Sequence, residues 1–150
     1  MHAHSRPLAL VLLCAALAGA GCGTRADMSI PRLNPPAGAA RYATDDASTD
    51  RVSLAFADLH ASLRVLGEGR WTPTYYRLPE GSEWATVRDH LDRQARDAGW
   101  QPDAGLSPTG TAGYPRAAWS DGRQRVAAAL VEAPEGSDGA TVLMMLTPRE

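Results

Sequence analysis

Two segments near the C-terminal end constrain the fold more than any other feature. Residues 126–131 (Val-Ala-Ala-Ala-Leu-Val) and 142–146 (Val-Leu-Met-Met-Leu) are apolar with no polar alternation. Successive side chains of a strand point to opposite sides, so a strand with one solvated face alternates apolar and polar residues. A strand without that alternation is covered on both faces, wholly or in part. The two segments therefore read as central strands, or as strands with helices over one face and partial cover over the other. The loop 133–139, carrying Pro134, Gly136 and Gly139, separates them. Upstream, residues 114–120 read as a strand, and Asp121-Gly122 predicts a two-residue hairpin turn into residues 123–132. Together these make a three-stranded meander.

The cover comes from two amphipathic stretches. Val52, Ala55, Phe56, Leu59, Leu63 and Leu66 recur at helical spacing, behind Asp50 as a candidate N-cap and up to Gly67. Trp84, Val87, Leu91, Ala95 and Ala98 define a second stripe behind Ser82, another candidate N-cap. Its other face carries Arg88–Asp92, Asp89–Arg93, Asp92–Arg96 and Arg93–Asp97, pairs that stabilise a helix by about 0.2–0.5 kcal/mol each. Gly99 stands where a left-handed C-cap favours glycine, which folds Trp100 back toward Ala95. Residues 71–79 are aromatic, β-branched and bounded by proline; they read as a short edge strand, because Pro73 has no N–H to give a neighbour. Residues 102–113 read as a loop. The order helix, strand, helix, meander predicts an α+β two-layer sandwich, a mostly antiparallel sheet of about four strands with both helices on one face.

Composition narrows the function. The net charge is −2, so no basic footprint points to nucleic acid. All 15 Lys+Arg residues are arginine. Without lysine there is no Schiff-base amine and no P-loop.

The N-terminal region speaks to destination. Residues 8–20 are apolar and uncharged, behind Arg6. The run is shorter than the about 20 residues that cross a bilayer and matches the apolar region of a signal peptide. It ends Leu17-Ala-Gly-Ala-Gly-Cys22-Gly. Small residues ahead of a cysteine resemble the lipobox of bacterial lipoproteins, a resemblance confined to roughly the first 25 residues. It implies cleavage before Cys22, acylation of its thiol, and a lipid anchor in a membrane. The class favours leucine three residues before the cysteine, where this chain has Gly19, with Leu17 two positions further back. The alternative is an A-x-A-like cut after Ala20, which leaves Cys22 as a free thiol. Cys14 lies in the leader, so the processed chain has one cysteine and is stabilised by packing, not by an internal disulfide. Gly23 in place of aspartate after the cysteine implies, for a Gram-negative lipoprotein, delivery to the outer membrane, facing the periplasm. Residues 24–50 hold Pro31, Pro35, Pro36 and few large apolar side chains. The organisation read from this is a signal peptide over 1–21, a lipidated tether over 22–49 and one α+β domain over 50–150.

Chemistry-bearing motifs are few. His60 and His90 lie one per helix, at the flank of each stripe, with neither H-x-x-x-H spacing nor a cysteine partner; a zinc site needs three or four ligands. No metal and no cofactor is expected. There is no G-x-S-x-G elbow, and residues 108–113 and 134–139 are glycine-containing loops without the dinucleotide pattern. No catalytic residue is assigned. Aromatic side chains remain, since they offer large contact area at low entropy cost. Trp71, Tyr75, Tyr76 and Trp119 are the candidate binding surface, whereas Trp84 and Trp100 serve the core. Tyr75 and Tyr76 are adjacent on a strand and point to opposite faces, so at most one is core and the other exposed. The expectation is a membrane-tethered envelope lipoprotein acting as a non-enzymatic interaction or structural module, with an envelope protein partner. The alternative is a soluble periplasmic or secreted domain that binds a small ligand or peptide.

Overall fold

The computed structural model describes residues 30–43, 49–67, 69–111, 113–132 and 140–149. The leader, Cys22 and the loop 133–139 lie outside them. The elements are β1 (Ala40–Arg41), α1 (Thr49–Leu66), β2 (Trp71–Arg77), α2 (Trp84–Asp97), β3 (Gln101–Pro102), β4 (Arg116–Ser120), β5 (Arg125–Val131) and β6 (Val142–Pro148). The strands form one six-stranded sheet in the order β1-β2-β6-β5-β4-β3. Every neighbouring pair is antiparallel. The fold is thus α+β with the meander in place, and the sheet has six strands where about four were expected. The additional pieces, β1 and β3, are two residues each, too short for any alternation to show in sequence.

The apolar runs of β5 and β6 are buried on both sides. Ala127, Ala129 and Val131 join Val142, Met144 and Leu146 on one face, where Val52, Ala55, Leu59 and Leu63 of α1 cover them. Val126, Ala128 and Leu130 join Leu143 and Met145 on the other, under Val87, Leu91 and Ala95 of α2. The helices therefore lie on opposite faces, and the architecture has three layers instead of two with both helices together. The physical reason is that a strand apolar on both sides exposes one side to water unless each has its own cover.

Local details follow the side chains. Gly99 has φ +81°; its N–H donates to Arg96 O and that of Trp100 to Ala95 O, both at 2.9 Å. This is the Schellman pattern, and it seats Trp100 fully buried beside Ala95. Ala98, placed on the stripe by spacing, is exposed. Ser82 is not the cap of α2. Its Oγ donates to Pro79 O at 2.7 Å and closes the preceding turn, while the cap position is Glu83, without a side-chain bond. Likewise α1 begins at Thr49 and holds Asp50 in its first turn, where a carboxylate meets the positive end of the helix. The β4–β5 connection is a four-residue loop, since Ser120 pairs with Arg125. Asp121 Oδ1 accepts the N–H groups of Arg123 and Gln124 at 2.8 and 2.7 Å, which holds both residues in the loop.

Pro73 sits where it does no harm. All seven residues of β2 are in register with β6, but β1 reaches only Tyr76 and Arg77. Tyr42 N–H donates to Tyr75 O at 3.0 Å, so main-chain groups of the odd residues of β2 point away from β6. Pro73 shares that side, which β1 does not reach. Residues 30–43, read as part of a tether, are packed on the domain. Leu33 and Tyr42 are buried in opposite cores. Asn34 N–H donates to Gln94 Oε1 at 2.8 Å, and Gln94 Nε2 donates to Asn34 O at 3.0 Å. The packed chain thus begins by Ile30, twenty residues before the boundary read from sequence. Isolated apolar residues such as these leave no period to detect.

Candidate functional site

The four aromatic candidates do not form one surface. Trp71 has 8% of its surface exposed and Trp119 none. They belong to opposite cores. Trp71 Nε1 donates to Arg125 O at 3.0 Å, and Trp119 Nε1 to Asp92 Oδ1 at 2.6 Å, so both indole N–H groups are satisfied internally. Tyr75 packs against the α1 side and Tyr76 against the α2 side, both half-buried. The opposite faces are as expected, but the expected split into one core and one exposed tyrosine is not found. The sheet has cover on both sides, so neither phenol ring stands free in water.

A polar cluster unnoticed in sequence joins α1 to β4 and the loop before it. Asp58 Oδ2 accepts from the hydroxyl of Tyr114, from Arg116 Nη1 at 2.9 Å and from Thr111 N–H at 3.1 Å. Its Oδ1 accepts from Thr111 Oγ1 at 2.6 Å. Arg116, 6% exposed, also donates to Ser62 Oγ at 3.0 Å and to Ser107 O at 2.9 Å. Burial pushes the Asp58 carboxyl up, but the bonds from Thr111 and Tyr114 and the Arg116 charge outweigh it and hold the pKa below the ordinary value. Burial and the bond to Asp58 raise the Tyr114 phenol well above its own. A carboxylate held ionised and a phenol held protonated do not exchange a proton near neutrality. The cluster is a staple between elements, and only the topology, not spacing, brings its members together across more than 50 residues.

The open feature lies at the C-terminal end of α1. A cleft of about 510 Å³ is lined by His60, Arg64, Gly67, Gly69 and Arg70. The His60 ring lies 5.5 Å from Phe56 and edge-on to Trp71 at 5.8 Å. The glycines are there for space. A Cβ on Gly67 would fall 2.8 Å from Arg125 Nη1, and one on Gly69 would fall 2.9 Å from the Trp71 ring. Arg125 behind them is neutralised by Asp103 at 2.5 Å. Arg64 and Arg70 are exposed and have no ion-pair partner among the described residues. A second hollow of about 290 Å³ touches Arg88, Asp92, Asp103 and Arg116, but each of those charges is already in an ion pair. His90, on the opposite face of the sheet from His60, bonds to Asn34 O and Gln94. Among the described residues no three His, Cys, Asp or Glu side chains converge as metal ligands, and no helix is long and apolar enough to cross a membrane.

Comparison of the chain with family models, with curated proteins and with solved structures gives no match.

Proposed function

We propose that the chain is a lipid-anchored envelope protein whose folded domain is a non-enzymatic binding module held close to a membrane. The observation that carries this is the uncharged run at 8–20 ending in small residues before Cys22, the one cysteine outside that leader. Three acyl chains on that residue supply the anchor, each buried CH₂ contributing about 0.8 kcal/mol. Gly23 directs the mature form to the outer membrane, facing the periplasm. The packing of residues 30–43 shortens the tether. Eight residue steps separate Cys22 from Ile30, and fully extended they span at most about 29 Å. The domain therefore works within a few nanometres of the lipid surface, on an envelope protein or on a molecule at that surface.

The non-enzymatic reading draws on where the polar groups go. Asp58, Asp92, Asp103 and Arg116 are engaged with one another's elements, which suits stability and leaves them little capacity for a substrate. The open, basic cleft beside α1 favours the second reading, capture of a small ligand, and the two are compatible in one anchored module.

The test of the anchor is incorporation of radiolabelled palmitate into the full chain in a Gram-negative host, followed by membrane fractionation. Label is expected in the wild-type protein and none in Cys22→Ala. Equal labelling of both, or a wild-type chain recovered in the cytosol with Met1 intact, sinks the reading.

A further inference from the structure

We propose that the cleft at the end of α1 binds the phosphate group of an organic phosphate ester, through Arg64 and Arg70. This deepens the binding-module reading and does not need the lipid anchor. Guanidinium groups are weakly hydrated planar forks that match the oxygens of a phosphate. Two of them border one hollow whose described lining holds no carboxylate, which favours an anion there. Opposing an anion are the α1 carbonyl end, worth about −0.5 charge, and the charge of Glu68, between the two glycines in sequence; the two full positive charges of Arg64 and Arg70 still exceed them.

The hollow, about 510 Å³, falls in the roughly 300–1,000 Å³ range of small-molecule sites and holds more than the phosphate itself. Its walls fit an organic body. Gly67 and Gly69 put no side chain into the space, and the His60 ring, fixed between Phe56 and Trp71, offers an aromatic flank. Arg149 N–H donates to Arg70 O at 2.7 Å, tying the segment that carries Arg70 to the end of β6. The same phosphate chemistry comes from a soluble ester or from a phospholipid headgroup.

The test titrates the full chain, as Cys22→Ala in non-ionic detergent, by calorimetry with glycerol 3-phosphate and separately with a short-chain phosphatidylglycerol. Saturable binding of either supports the site, and whichever binds more tightly identifies the source. Arg64→Gln and Arg70→Gln should each weaken binding about tenfold or more, with unchanged thermal melts. Arg93→Gln, an exposed arginine on α2, should leave it unchanged. Glu68, between the two glycines, lies outside the described residues; Glu68→Gln should bind equally or more tightly. No saturable binding to either probe, or a loss in Arg93→Gln or Glu68→Gln equal to that of the cleft variants, overturns the proposal. Because every arm uses Cys22→Ala, failure here leaves the anchor untouched, and failure of palmitate labelling leaves the cleft untouched.

Discussion

At the scale of single residues, the molecule rests heavily on Asp58. Its carboxylate is the only counter-charge of Arg116 among the described residues. Asp58→Asn keeps the size but leaves the guanidinium buried without an anion. Removing one partner of such a pair is costly, so urea unfolding at pH 7 should show a loss of about 3 kcal/mol, the low end for a pair whose carboxylate is partly exposed. The sign of the pH effect follows from the shifts. The Asp58 pKa lies below the ordinary 3.8, so its contribution is complete above that value and is lost as pH falls through the folded-state value. The Tyr114 pKa lies above 10.0, so its contribution is complete below pH 10.0 and fades as pH rises beyond it. Asp58→Asn should flatten the acid limb of a stability-versus-pH curve; an unchanged limb would mean other carboxylates set it. Trp100 poses the opposite case. It is fully buried and its Nε1 has no hydrogen-bond partner among the described residues. Trp100→Ala should cost about 3 kcal/mol or more through the cavity it leaves. Trp100→Phe removes the orphaned donor and keeps most of the ring, so it should cost less than half as much.

At the scale of elements, what was legible in sequence tracks what has a period. The stripes of α1 and α2 repeat over several turns, and both helices lie close to where the spacing puts them. Gly99 was legible too, because a Schellman cap has one steric requirement. Gly99→Ala forces a Cβ onto a left-handed residue and should destabilise by about 1–2 kcal/mol in a thermal or urea melt. Gly81→Ala is a useful contrast, with φ +75° but outside any helix cap. If Gly99→Ala costs no more, the cap contributes nothing beyond its backbone angle. Elements without a period were invisible. β1 and β3 have two residues each, and the loop at 121–124 depends on one aspartate oxygen that sequence cannot aim. The aromatic candidates failed for a related reason. Composition marks Trp71 and Trp119 as large and contact-forming, but only register shows that one faces α1 and the other α2. The cleft was hidden as well, since His60 reads as a flank residue and nothing in the spacing brings it to one hollow with Arg64 and Arg70.

At the scale of the whole molecule, the central question is where the folded unit begins. Hydrophobic periodicity starts it near residue 50; packing starts it by Ile30. The difference is a matter of energy as well as of description. Leu33 helps close the core under α2, and Tyr42 helps close the core under α1. Burying a side chain of that size contributes about 1.5–3 kcal/mol. Losing both, together with the Asn34–Gln94 bonds and the pairing of β1, removes roughly 3–6 kcal/mol. Domains of this size are stable by only about 5–15 kcal/mol. A chain of residues 50–150 should therefore melt at a markedly lower temperature or fail to fold, and its exposed β2 edge should promote aggregation. A chain of residues 30–150 should melt cooperatively, within a few degrees of the full chain in the same detergent. Equal melting of the two truncations would return residues 30–49 to the tether, and under the proposed anchor the domain would then reach much further from Cys22. If only the longer one folds, at most eight residue steps separate Cys22 from the packed chain, and under the proposed anchor any ligand of the domain would lie near a membrane.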